Sequence, residues 1–281
     1  MNPKIILFSL AAAAMLAACS DANEPEIKEV QVNGFKEQDP AGYAAYTSAL
    51  RSWKATGHQV SYARLDNAPA VSVSERDFLR SVPDSLDFVA MRNADGLSQF
   101  DRQDMALVRN DFGTKVLYYV TAANQAERAE AAVRAGEFDG VSVADPEAAE
   151  MLAASLASTD CVMIFDGTPS KLSADALAAF DYVLTDVSRA TDSYDVEFAV
   201  RMALNTVPAE KQLLLVEPGG NITDAAGVSR NSLAGAAAAA KAFAPQLGGI
   251  AINNVSADYY DPDIIYKRTR GAIQLLNPAA K

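Results

Sequence analysis

The sequence is poor in the residues that most often carry chemistry. Its 281 residues include one histidine (His58), one tryptophan (Trp53) and two cysteines (Cys19 and Cys161). A zinc site needs three or four His, Cys or carboxylate ligands, so a His/Cys metal centre is disfavoured and no metal is expected. A Ser-His-Asp triad would rest on His58 alone, which stands next to Gly57 before the first strand-like run and reads as a turn residue. Basic charge is also short: 24 Lys and Arg against 36 Asp and Glu leave a net charge of −12. Such a field repels phosphate backbones, and nucleic acid is not an expected partner. Neither G-x-G-x-x-G nor G-x-x-x-x-G-K-[ST] occurs, so no nucleotide cofactor is expected. Half of the residues are hydrophobic and mean hydropathy is zero, which excludes a disordered or multi-span membrane chain.

The one long apolar run is at the N-terminus. Lys4 precedes a stretch from Ile5 to Ala18, too short for a permanent membrane helix and of the size of a secretory signal. It ends in Leu16-Ala17-Ala18-Cys19, which resembles the bacterial lipobox. That resemblance implies cleavage before Cys19, lipidation of Cys19 and anchoring in an outer membrane, at the cell surface or alternatively on the periplasmic face. Residues 1–18 are thus expected to be a lipoprotein signal and 19–40 an acidic tether. Cys161, in the apolar run DCVMIFDG, is left without a disulfide partner and reads as a small buried hydrophobe.

From Gln59 onward, short apolar runs alternate with stretches of helical spacing. The runs are Gln59–Asp66, Leu86–Asn93, Thr114–Thr121, Phe138–Asp145, Asp160–Gly167, Asp181–Ser188, Gln212–Gly219 and Gly248–Val255. They are near-continuous apolar runs, as expected for strands covered on both faces. Helices are expected at Gly42–Thr56, Leu97–Asn110, Gln125–Ala135, Pro146–Ala157, Ala174–Phe180, Asp195–Asn205, Ser232–Phe243 and Asp263–Leu276. Eight strands alternating with helices over residues 41–281 predict a single α/β domain, a (β/α)8 TIM barrel. An open doubly wound sheet is the other option.

The segment Pro83–Thr121 (PDSLDFVAMRN…GTKVLYYVT), followed by FDGVSVAD at Phe138–Asp145, resembles glycoside hydrolase family 18. The resemblance is to its lipoprotein branch of endo-β-N-acetylglucosaminidase-like and chitinase-like proteins. In that family the fourth strand reads D-G-x-D-x-D-x-E. The Glu protonates the glycosidic oxygen and the last Asp orients the substrate's own N-acetyl group, an exception to the two-carboxylate scheme. Here Asp139 and Gly140 match, but Ser142, Ala144 and Pro146 stand where Asp, Asp and Glu are expected. None of these three can carry out general acid catalysis. The family's floor tryptophan after the eighth strand is replaced by Asn253 or Asn254.

Other carboxylates are the fallback. Glu147 lies one residue beyond the acid position and reads either as a group over the barrel mouth or as a first-turn helix charge. Glu217 with Asp186 is a second candidate pair. Barrel sites are built at the C-terminal strand ends, where Asp66, Asn67, Arg92, Asn93, Thr121, Asp145, Asp166, Asp186, Glu217, Asn253 and Asn254 fall. Of these Asp66, Asn67, Arg92, Asp145, Asp166, Asp186, Glu217 and Asn253, with Tyr259 beside Tyr260, are the expected sugar contacts. Asp145 and Asp166 read equally well as helix N-caps. Three functions remain open. One is a non-catalytic glycan-binding lipoprotein working beside an outer-membrane glycan importer. The second is an active glycosidase with non-standard carboxylates, and the third a structural subunit.

Overall fold

The computed structural model describes residues 34–67 and 74–278. The expected signal and Cys19 lie outside the described residues. Contacts divide the chain into a short unit ending at Ala44 and a large one from Ala45. Within the short unit, a helical turn Phe35–Gln38 leads to the start of helix Pro40–Lys54. The Phe35 and Tyr43 rings meet edge to face there, with centroids 5.7 Å apart.

The large unit is a closed parallel barrel. Its strands are β1 (Val60–Leu65), β2 (Phe88–Met91), β3 (Lys115–Val120), β4 (Gly140–Val143), β5 (Val162–Phe165), β6 (Tyr182–Asp186), β7 (Gln212–Val216) and β10 (Gly249–Ile252). They neighbour one another in the order β1-β10-β7-β6-β5-β4-β3-β2. All eight fall inside the runs read from the sequence. Side chains alternate across each strand. Tyr62, Phe88, Ala90, Leu117, Tyr119, Ile164, Leu184, Leu213, Leu215 and Ala251 form one apolar cluster inside the barrel. The alternate residues, Ala63, Leu65, Val89, Met91, Val116 and Tyr118 among them, pack in a larger cluster with the helices.

The helices follow the expected spacing, with local reasons for their ends. Ser98 and Asp101 form a reciprocal capping box at helix Gln99–Leu107. That helix widens into a π-turn, Val108–Phe112, which Gly113 ends at φ 70°. Asp145 accepts from Ala148 N at 2.9 Å to cap helix Pro146–Leu156. Two features were not foreseen. The final helix starts at Lys267 rather than Asp263, because Tyr266 just before it sits in the left-handed region at φ 56° with a fully buried ring. A hairpin, β8 (Asn221–Thr223) and β9 (Ser229–Asn231), interrupts the path from β7 to helix Ser232–Phe243.

The barrel closes tightly at two glycines. A Cβ on Gly140 would lie 1.9 Å from the Val162 carbonyl oxygen, and one on Gly249 1.8 Å from that of Val60. Asp139, just before β4, accepts from Val116 N at 2.8 Å and pairs with Arg109 at 2.9 Å. The Asp139-Gly140 pair is therefore a fastening of the strands.

His58 does more than turn the chain. Its ring lies 4.4 Å from that of Trp53, and its Nε2 is 3.0 Å from Asp87 Oδ1. Asp87 Oδ2 accepts from Ser61 N at 2.8 Å and Ser61 Oγ at 2.9 Å. Lys54 donates to Leu86 O and, at 2.8 Å, to Thr114 Oγ1. These contacts tie helix Pro40–Lys54 to the strands β1 and β2, so the cluster has a structural character by its contacts. The hydrogen bond to Asp87 raises the His58 pKa above its ordinary 6.5, while burial lowers that of Lys54 to about 8. A raised folded-state His pKa stabilises below the unfolded value, and the gain is lost as pH rises through the folded one. The thermal midpoint advantage of the native protein over His58→Asn is thus expected at pH 5.5 and should shrink by pH 8. An advantage that grows with pH would contradict this assignment.

Candidate functional site

The inward positions of β4 and the residues after it are small or apolar. Ser142 is fully buried and bonds the Tyr62 hydroxyl at 2.9 Å. Ala144 borders the interior apolar cluster. Pro146 is the first residue of its helix, where its missing N–H costs nothing. Glu147 is exposed in that helix's first turn.

The centre of the mouth belongs to a residue that the sequence reading passed over. Arg64 projects from β1 and is only 6% exposed. It forms a salt bridge with Asp166 at the end of β5 and donates to Asn253 Oδ1 at 2.5 Å beyond β10. Its guanidinium lies 5.3 Å from the Tyr119 ring centroid. The Tyr119 hydroxyl donates to Asp166 Oδ2 at 2.8 Å, and Asn253 Nδ2 donates to Glu217 Oε2 at 2.6 Å. One guanidinium therefore joins the ends of five strands: β1, β3, β5, β7 and β10. The signal was present: Tyr62, Arg64 and Asp66 alternate on one strand face, and an arginine inside an apolar run needs a buried partner.

Asp166 is thus no helix N-cap; its carboxylate is spent on Arg64 and Tyr119. Burial pushes its pKa above the ordinary carboxylate range, against the pull of Arg64 and the Tyr119 hydrogen bond. Burial also pushes the Tyr119 hydroxyl up to about 12, so it remains a donor at neutral pH.

The remaining expected site residues are spread round the rim. Asp66 and Arg92 pair at 2.9 Å across β1 and β2. Asn67 is buried, and both ends of its amide bond the Asn93 backbone, at 2.9 and 3.2 Å. Thr121 bonds Gln125 Oε1 through its backbone N–H and its hydroxyl. Asp186 is exposed and accepts from Ser188 N at 2.9 Å. The Tyr259 ring is wedged between Tyr260 and Tyr266, with centroids 4.9 and 5.4 Å away. Tyr260 is 72% exposed. The structure thus brings Asp166, Asn253 and Glu217 together through Arg64, and leaves Asp145 and Asn67 as local struts. Cys161 is half-buried rather than buried, and burial raises its thiol pKa. Among the described residues no group of three or more His, Cys, Asp or Glu is placed to hold a metal ion.

Residues 23–154, which run to the helix after β4, match the family described as glycoside hydrolase family 18, BT1044-like. The chain carries a glycoside hydrolase family 18-like barrel. Its structure is similar to that of a glutamate-to-glutamine variant of BT1044 in selenomethionine form, at 16% identity and a TM-score of 0.73, covering 86% of this chain and 95% of that one. It is also similar to an endo-β-N-acetylglucosaminidase from Cordyceps militaris, at 15% identity and a TM-score of 0.61, covering 83% and 96%. The catalytic domain of a family GH18 chitinase from the fern Peteris ryukyuensis follows the same fold at 11% identity and a TM-score of 0.54, covering 76% and 99%. These likenesses are likenesses of fold. No curated protein sequence matches the chain.

Removing Arg64 should be costly, because it strands a buried carboxylate. Arg64→Ala is expected to lower unfolding free energy by about 3–5 kcal/mol. Arg64→Met combined with Asp166→Leu should recover much of that loss. Chemical denaturation of both variants tests this. A double variant as unstable as the sum of its single changes would show that the two side chains act independently.

Proposed function

We propose that the protein is a non-catalytic, glycan-binding lipoprotein held at the outer membrane through Cys19 and working beside a glycan importer. One observation carries the loss of catalysis. The three positions that should hold Asp, Asp and Glu hold Ser142, Ala144 and Pro146, with Ser142 locked to Tyr62 inside the barrel. Neither Asp145, which caps a helix, nor Glu147, exposed in the first turn, stands at the inward position of β4. The binding half of the reading rests on the polar groups round the mouth. Hydroxyls of a sugar exchange water for such groups at a net gain of about 0.5–1.5 kcal/mol each. GlcNAc-containing glycans are the favoured ligands, by analogy with the fold.

A second reading, an active glycosidase with non-standard carboxylates, has one observation in its favour. Asp166 is a buried mouth carboxyl whose pKa is raised, as a proton donor's should be. It is, however, engaged by Arg64, and the base would have to be Asp186 or Glu217.

Purified protein should release no reducing ends from chitooligosaccharides or high-mannose N-glycans above the no-enzyme level. Loss of general acid catalysis alone removes about 10²–10⁴-fold in rate. Robust hydrolysis abolished by Asp166→Asn, Glu217→Gln or Glu147→Gln would establish the second reading instead. Cys19→Ser should release the protein from membranes, since stable anchoring needs more than one acyl chain. A variant that stays wholly membrane-bound after a mild wash would refute the lipid anchor.

A further inference from the structure

Seven of the eight barrel seams are paired over four residues, but β5 and β6 share two register pairs, Ile164↔Tyr182 and Phe165↔Val183. After Phe165 the chain leaves the sheet through Asp166-Gly167-Thr168 and turns at Pro169. A cleft of about 640 Å³ opens there. Its walls come from both sides of the barrel: Asp166, Leu184, Asp186 and Leu215 from the inward-facing rows, Thr168 from the loop, and Met202 and Ala203 from helix Ser193–Ala203 outside. Its volume lies within the range of small-ligand sites, about 300–1,000 Å³. The well at the barrel centre is meanwhile filled by Arg64 and its partners.

We infer that the glycan site of this protein lies in the β5–β6 cleft, shifted sideways from the barrel axis, and that it takes a neutral pyranoside chain. The inference rests on the carbohydrate-binding reading and locates its site. A pyranose presents an apolar C–H face and a rim of hydroxyls. Leu184, Leu215 and Met202 offer the apolar surface. The exposed carboxylate of Asp186 accepts from hydroxyls, and Thr168 adds a hydroxyl that can donate or accept. Arg64 already holds Asp166, so it is not free to neutralise an anionic sugar. The exposed carboxylate of Asp186 repels one.

Titration calorimetry of the purified protein with chitotriose, a neutral high-mannose N-glycan and a sialylated N-glycan tests this. Binding is expected for at least one neutral glycan, with no gain from sialylation. Asp186→Ala should weaken it about tenfold, the equivalent of one charge-assisted hydrogen bond. Ala203→Leu, which adds three carbons to the cleft wall, should weaken it by at least as much. Circular dichroism confirms that each variant keeps its fold. If both variants bind like the native protein while Arg92→Ala abolishes binding, the ligand lies over β1 and β2 and the inference is overturned, with the carbohydrate reading intact. If none of the three sugars binds the native protein, the carbohydrate reading fails and the inference with it.

Discussion

A guanidinium buried at the head of a barrel constrains everything around it. Arg64 cannot shed its charge, so the fold must supply partners or pay several kcal/mol in desolvation. It supplies Asp166 from β5, Asn253 from beyond β10 and the Tyr119 ring from β3. Asn253 in turn carries Glu217. The small side chains of β4 fit the same constraint. Ser142 meets the Tyr62 hydroxyl, and Ala144 packs against the inner apolar cluster. The small side chains of β4 and the buried ion pair together pack the head of the barrel.

That packing also bears on where the barrel is open. With Arg64 and its partners buried at the centre, free volume at the mouth is found where strands part. β5 and β6 part after two paired residues. The chain at this point has its reasons: Gly167 lies so close to the Phe165 ring that a Cβ there would come within 2.6 Å of it, and Pro169 brings no N–H to a ladder. Helix Ser193–Ala203 beyond the seam keeps Tyr194, Phe198 and Met202 largely exposed, at 64, 67 and 55%. They recur every four residues on one face, so the apolar character of this side of the barrel extends past the cleft.

The architecture was legible from the sequence because parallel strands covered on both faces leave an unambiguous mark. Runs such as LLLV and GGIAI are apolar at every position, and no amphipathic helix reads that way. The start of the last helix and the β8–β9 hairpin were not legible, since they depend on a left-handed Tyr266 and on short strands with no apolar alternation. Among site residues, the sequence distinguished Asp166 and Glu217 as strand-end carboxylates but could not say what they touch. Contacts across a closed barrel join positions 102 and 189 residues apart, as Arg64 does with Asp166 and Asn253. Periodicity reports which face a side chain takes, and the alternation of Tyr62, Arg64 and Asp66 carried that signal for Arg64 without its being read. It does not report which strand stands opposite.

The division within the β4 motif follows from the same geometry. Asp139 and Gly140 match the family pattern, and both serve barrel closure: Asp139 receives the β3 backbone and Arg109, and Gly140 has no room for a Cβ beside Val162. Substitution there would disturb the strands whatever the protein does. Ser142, Ala144 and Pro146 occupy positions whose family residues serve the reaction, and each is well accommodated here as it is. Ser142 has a buried partner, Ala144 lies beside the inner apolar cluster, and Pro146 opens a helix capped by Asp145. The strand is locally satisfied in its present form: Asp139 and Gly140 close the barrel, and the three residues that follow on its inward side and at the helix start pack without an unmet polar group.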